Sequence, residues 1–196
     1  MERAKKECIL EAAARAFSRA GFKKASVDEI AKDAGVAKGT VYLASDSKEH
    51  LFFQSVHREV RELVGELSKL IDPTQPADQL LQEVARQAVM MVSQRPLVRG
   101  LFACDFHAQL PRWADQMEEL RALGRTNIVE ILRLGQRQGQ FRAELEVDEV
   151  AKILQDLMIA TYMFHVQGEQ IDVEAVTRRG VVAMDLILNG IRTQGK

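Results

Sequence analysis

Two lysines stand where helices should begin, each beside a small or hydroxylated residue: Ala37-Lys38-Gly39-Thr40 and Ser47-Lys48. Unpaired backbone N–H groups at a helix start attract phosphate oxygens, so the starts at Ser26, Ala37 and Ser47 can each meet an anion. Lys48 adds a point charge at the third start, and the Tyr42 hydroxyl can donate a hydrogen bond. Lys38 can donate to guanine O6 and N7, Gly39 permits close approach, and Thr40 can meet a thymine methyl or a polar base edge. Taken one at a time, each has a plainer reading: Tyr42 as a packing residue, Lys38 and Lys48 as solvated charges.

Other chemistry is thinner. Asp105 and His107 are two apart and diverge on a helix, whereas His165 and Glu169 are four apart and can share a face; two such pairs do not make a ligand set, and no metal is expected. Cys104 with His107 could be imagined as a nucleophile pair, but a buried structural cysteine is the common case. No G-x-S-x-G, Walker loop, dinucleotide fingerprint or H-E-x-x-H occurs, so neither an enzyme nor a cofactor is expected. The middle of the chain carries Met90, Phe102, Phe106, His107, Trp113, Tyr162 and His165. Aromatic and methionine side chains with a few polar tips suit an apolar small-molecule pocket, and they equally suit an ordinary helical core.

The elements that must position these residues are helical throughout. Ile9, Leu10, Ala13 and Phe17 recur at helical spacing until Gly21. Ser26 with Glu29 forms a capping box that opens a short helix through Asp33. Ala34-Gly35-Val36 is a turn, and a second short helix runs from about Ala37 to Leu43. Ala31 four before the glycine lets two helices cross closely, and Ile30, Ala34 and Val41 point inward. That is the helix-turn-helix pattern, whose second helix enters the major groove, and an αα-turn inside a helical bundle can imitate it. Asp46 with Glu49 is a second capping pair, launching a long helix over Leu51–Ile71. Asp72-Pro-Thr-Gln-Pro76 breaks it. Five more segments follow, roughly Ala77–Gln94, Pro96–Gln109, Pro111–Arg137, Asp148–Gln167 and Asp172–Thr193. Gly135, Gly139 and Gly168 mark exits, and Asp148 and Asp172 are N-cap candidates. The expected fold is all-α with about nine helices: a three-helix unit over residues 1–50 and a bundle over 51–196.

Composition agrees. The 196 residues carry 27 Lys+Arg and 28 Asp+Glu, a net charge of −1, with 46% hydrophobic residues. Such a chain is neither disordered nor repetitive. Its longest stretch without a charged side chain, Leu157–Gly168, is too short to span a membrane. Residues 1–50 balance at +2 and the remainder at −3, weak evidence for an anion-binding N-terminal end. With only Cys8 and Cys104 and no signal-like start, a reduced, cytoplasmic protein is expected.

The residues Ile9-Leu-Glu-Ala-Ala-Ala-Arg-Ala-Phe17, Gly21-Phe22, Ser26-Val-Asp-Glu-Ile-Ala31, Ala34-Gly35-Val-Ala-Lys-Gly39-Thr-Val-Tyr42 and Ser47-Lys48-Glu49 together resemble the DNA-binding domain of TetR-type transcriptional regulators. The resemblance covers about the first 55 residues, with several motifs in order at matching spacings. It implies backbone contacts from Tyr42 and Lys48. It departs from the family after the tyrosine, where two aromatic positions hold Ala44 and Ser45. Either Phe52 or Phe53 fills that space, or the corner has a different shape. The resemblance further implies a homodimer through the last two helices, a near-palindromic double-stranded DNA operator, and release by a small-molecule effector, here apolar or aromatic. Leu154, Leu157, Met158 and Thr161 form one stripe, and Val182, Leu186 and neighbours leave the last helix apolar on more than one face; Leu154, Met158, Val182 and Leu186 are the expected interface, intramolecular core being the alternative. The alternative function is an all-helical ligand-binding or scaffolding protein whose helix-turn-helix no longer reads DNA.

Overall fold

A computed structural model describes residues 3–101, 113–167 and 170–193. Among them are nine helices and one two-residue antiparallel pairing. The chain forms two compact units, Met1–Val60 with Arg95–Leu101, and Arg61–Gln94 with Phe102–Lys196.

The first unit holds α1 (Arg3–Lys24), α2 (Val27–Asp33), α3 (Lys38–Ala44), the first part of α4 (Lys48–Ser68) and α6 (Pro96–Gly100). Ile9, Ala12, Ala13 and Phe17 of α1 are buried, as are Ile30, Ala31, Val41, Leu51 and Val56. Phe52 meets Phe17 edge-on with ring centroids 5.1 Å apart and also touches Phe22 and Phe53. Arg58 reaches back to Glu7 and Glu11 of α1, tying the first part of α4 to the first unit. Gly21 breaks α1 at φ 71° and ψ 166°, as its position in the pattern predicts. Gly35 supplies the positive φ (67°) of the turn between α2 and α3, a conformation that costs side-chain-bearing residues energy.

Caps differ in detail from expectation. Ser26 caps α2 by accepting from the Asp28 amide, while Glu29 lies toward Arg19 at 4.0 Å. The second cap is Ser47, not Asp46: its Oγ accepts from the His50 amide at 3.0 Å, and Asp46 lies beside the His50 ring instead. Both residue types cap well, so the sequence could not separate neighbours. α4 ends at Ser68, leaving Leu70 and Ile71 in the following turn.

The second unit continues with α5 (Ala77–Ser93), α7 (Ala114–Arg137), α8 (Val147–Phe164) and α9 (Val173–Ile191). Its core joins Leu63 and Leu67 of α4 to Leu80, Leu81 and Val84 of α5, Ile131 and Leu132 of α7, Leu154 of α8, and Met184 and Leu188 of α9. Glu146, not Asp148, takes the N-cap position of α8, and Asp148 sits in its first turn. Asp172 caps α9, accepting from the Ala175 amide at 2.9 Å. Gly135 is no exit: it lies within α7 against the ring of buried Phe141, and the helix leaves through Gly139. α5 begins after Pro76 without a capping side chain of its own. Its Ala77 amide donates instead to the side-chain oxygens of Gln138 and Gln140, at 3.0 and 2.8 Å, and Gln138 Nε2 donates to the Pro73 and Gln75 carbonyls.

Candidate nucleic-acid interface and bundle cavity

α3 buries Val41 and Ala44 and leaves its other side open. Ala37, Lys38, Gly39 and Tyr42 are exposed, and Thr40, Ser26, Ser47 and Lys48 are half-buried. All eight residues read from the sequence as DNA-facing therefore lie in the first unit with accessible surface. Lys38 Nζ is 2.9 Å from Asp28 Oδ2, and the hydrogen bond with Asp28 raises the lysine's pKa above its usual value. Lys48 Nζ donates to the Lys23 carbonyl at 3.1 Å and lies over the Phe22 ring, so this lysine also stabilises the end of α1.

Ser45, at a position where the resemblance expects a ring, is buried and donates to the Ser47 carbonyl. The phenylalanine cluster around Phe52 packs against Phe17 and Phe22 of α1. Sequence reasoning missed Leu43, a large apolar side chain left 81% exposed on α3. It follows Gly39 by four residues, so helical spacing alone could have placed it on the same face.

The second unit contains a cavity of about 550 Å³ walled by α5, α8 and α9. Leu154, Leu157, Met158 and Thr161 of α8 line it, with Val176, Thr177, Gly180, Met184 and Ile187 of α9; α5 contributes Gln79, Gln82, Glu83, Arg86 and Val89. Glu83 and Arg86 form a two-bonded ion pair at 2.8 and 3.0 Å. Hydrogen bonds from Arg86 and then Gln87 hold the Glu83 carboxyl below its usual range.

This arrangement exchanges two expectations. The α8 stripe assigned to a subunit interface lines the cavity, and Leu154 is only 1% exposed; it is core, unavailable to a partner. Conversely, none of the described aromatic and methionine candidates lines the cavity. Trp113 and Tyr162 are buried elsewhere, Met90 is exposed, and His165 Nδ1 lies 2.7 Å from the Thr161 carbonyl oxygen. Phe102, Cys104, Asp105, Phe106, His107, Gly168 and Glu169 lie outside the described residues. Val182 and Leu186 are exposed as expected, and Ile153 and Phe164 add an open apolar stripe on α8. No described helix is long and apolar enough to cross a membrane.

A helix-turn-helix carried on an all-helical bundle defines a DNA-binding transcriptional regulator. Residues 9–54 match the family described as bacterial regulatory proteins, tetR family. The chain is 26% identical over 207 residues to the HTH-type transcriptional repressor KstR2 of Mycolicibacterium smegmatis, covering 95% of this chain and 91% of that protein. Its fold is shared by the fatty acid degradation regulator FadR of Bacillus halodurans, with a TM-score of 0.74 at 20% identity over 99% and 100% of the two chains. It is shared too by FadR of Bacillus subtilis in complex with stearoyl-CoA, with a TM-score of 0.68 at 19% identity over 94% and 98%. Residues 9–54 thus form a DNA-binding domain of the tetR family type.

Proposed function

We propose that the protein is a homodimeric repressor that holds a near-palindromic operator and leaves it when an apolar small molecule enters the bundle cavity. The observation that carries the reading is the open face of α3, which presents Lys38, Gly39, Tyr42 and Leu43 together, beside the Ser47-Lys48 helix start. Lys38 and Thr40 meet base edges, Leu43 a thymine methyl, and Ser26, Ala37, Tyr42, Ser47 and Lys48 the phosphates. Two copies pair through the open apolar stripes of α8 and α9, because one recognition helix reads too few base pairs to specify a site. Repression is the activity named for KstR2 of Mycolicibacterium smegmatis.

The cavity sets the effector's character. Its α8 and α9 walls are largely apolar, and its α5 wall carries glutamines and a closed ion pair, so it suits an elongated apolar body with one polar edge. A lipid-derived molecule has that shape, and stearoyl-CoA occupies a relative of this fold. Binding that differs between operator-holding and free states shifts the equilibrium, and α4 contributes residues to both units.

Selection of duplexes from a random pool, followed by gel shift, tests the reading. The wild type enriches a near-palindrome with half-sites about one helical turn apart. Lys48→Ala weakens selected and random duplexes alike and lowers the salt slope by about 1 per lost phosphate contact. Enrichment of no sequence ends the regulator reading; a cavity ligand that leaves operator affinity unchanged ends its ligand response.

A further inference from the structure

We infer that Asp28 and Lys38 act as one unit that reads a single base pair, with guanine under the lysine and cytosine under the aspartate. The inference rests on the DNA-binding reading above and adds Asp28, on the other helix of the motif, to the residues that choose the sequence.

The two side chains come from different elements, the first turn of α2 and the first residue of α3. They meet at 2.9 Å while remaining 67% and 51% exposed. An ammonium has three donors and Asp28 takes one, so two still face outward; a carboxylate has about four acceptor sites and also keeps a surplus. The pair thus presents donors beside acceptors. It makes a poor phosphate clamp, because its net charge is near zero and its carboxylate repels phosphate oxygens.

Base edges are a better match. Every base pair shows the major groove a keto oxygen beside an amino group: G O6 beside C N4, or T O4 beside A N6. Those two atoms hydrogen-bond one another at about 2.9 Å, the spacing of Lys38 Nζ and Asp28 Oδ2. Laid on such an edge, the ammonium donates to the keto oxygen while the carboxylate accepts from the amino group. The reversed pair sets ammonium against amino group and carboxylate against oxygen, both repulsive. Guanine wins over thymine because its N7 accepts the second free ammonium N–H, where thymine offers only a methyl. The hydrogen bond with Asp28 further favours the charged, donating form of Lys38.

The test is duplex selection with wild type, Asp28→Ala, Asp28→Asn, Lys38→Ala and the double alanine variant, with melting temperatures for each. The wild type fixes one G·C pair in each half-site. Asp28→Ala keeps the rest of the motif but loses roughly tenfold discrimination per half-site between G·C and C·G there. It binds random duplex more tightly, with a steeper salt slope, because a negative charge near the phosphates is gone and Lys38 is freed to meet them. A purely structural Asp28 would instead lower the melting temperature and weaken every position together, which overturns the inference. Asp28→Asn, whose amide both donates and accepts, relaxes the same position. Lys38→Ala also relaxes it, and the double variant is no worse there than Lys38→Ala alone. An unchanged G·C preference in Asp28→Ala, or strictly additive losses, overturns the pairing and leaves the regulator reading standing. A wild type that enriches no motif removes both.

Discussion

Gly65 and Gly135 both sit inside helices, yet an added methyl meets opposite surroundings. At exposed Gly65 of α4 the new carbon finds nothing within 4 Å, so Gly65→Ala should gain the ordinary helix preference, about 0.5–1 kcal/mol. At Gly135 it would fall 2.1 Å from the ring of Phe141, which is 1% exposed. A ring that is packed on all sides cannot swing away. Gly135→Ala should therefore destabilise the second unit by roughly 1–3 kcal/mol despite the same gain in propensity. Thermal melts of the two variants should move in opposite directions; a raised midpoint for Gly135→Ala would mean that Phe141 can repack. Nothing in the sequence distinguishes the two glycines. The partner that matters at Gly135 arrives six residues later, after the chain has turned at Gly139.

The helices α8 and α9 show what periodicity can and cannot tell. Their existence and their apolar excess are legible, because helical spacing is local and the chain has few strand-like alternations. Which stripe faces inward is not, since a rotation of about 100° moves burial from one residue to the next. Leu154 and Met158 thus passed for an interface, while Ile153 and Phe164 hold the open stripe. The helix-turn-helix was legible to within a residue at its helix ends, since its small residue, its glycine and its inward valine lie within eleven positions of one another. The cavity was not, since three helices far apart in sequence must assemble before there is a space to line. The same distinction separates two leucines by experiment. Leu186 is 69% exposed, so Leu186→Glu should yield a folded, soluble monomer in sedimentation, with helical content unchanged. Leu154→Glu, placing a charge in the core, should fail to fold. A Leu186→Glu variant that stays dimeric puts the interface elsewhere.

For the whole molecule, the proposed ligand response can be tested apart from the proposed operator binding. Ala183 lines it from α9 and is only partly buried, so Ala183→Phe should occupy ligand space without crowding the core beneath. Such a variant should hold its operator as tightly as wild type and fail to release it when effector is added, read by gel shift with and without ligand. Loss of operator binding by the unliganded variant would contradict that separation. The borrowed cap of α5 has a consequence of another kind. Because Ala77 depends on glutamines 61 and 63 residues further along, the cap cannot be set when the helix's own residues leave the ribosome. It must await a distant turn, which makes it a late step in folding. In hydrogen exchange the Ala77 amide should then open only with the closing turn at Gln138–Gln140, rather than fraying as most first-turn amides do. Its exchange rate becomes a clock for the integrity of the whole bundle.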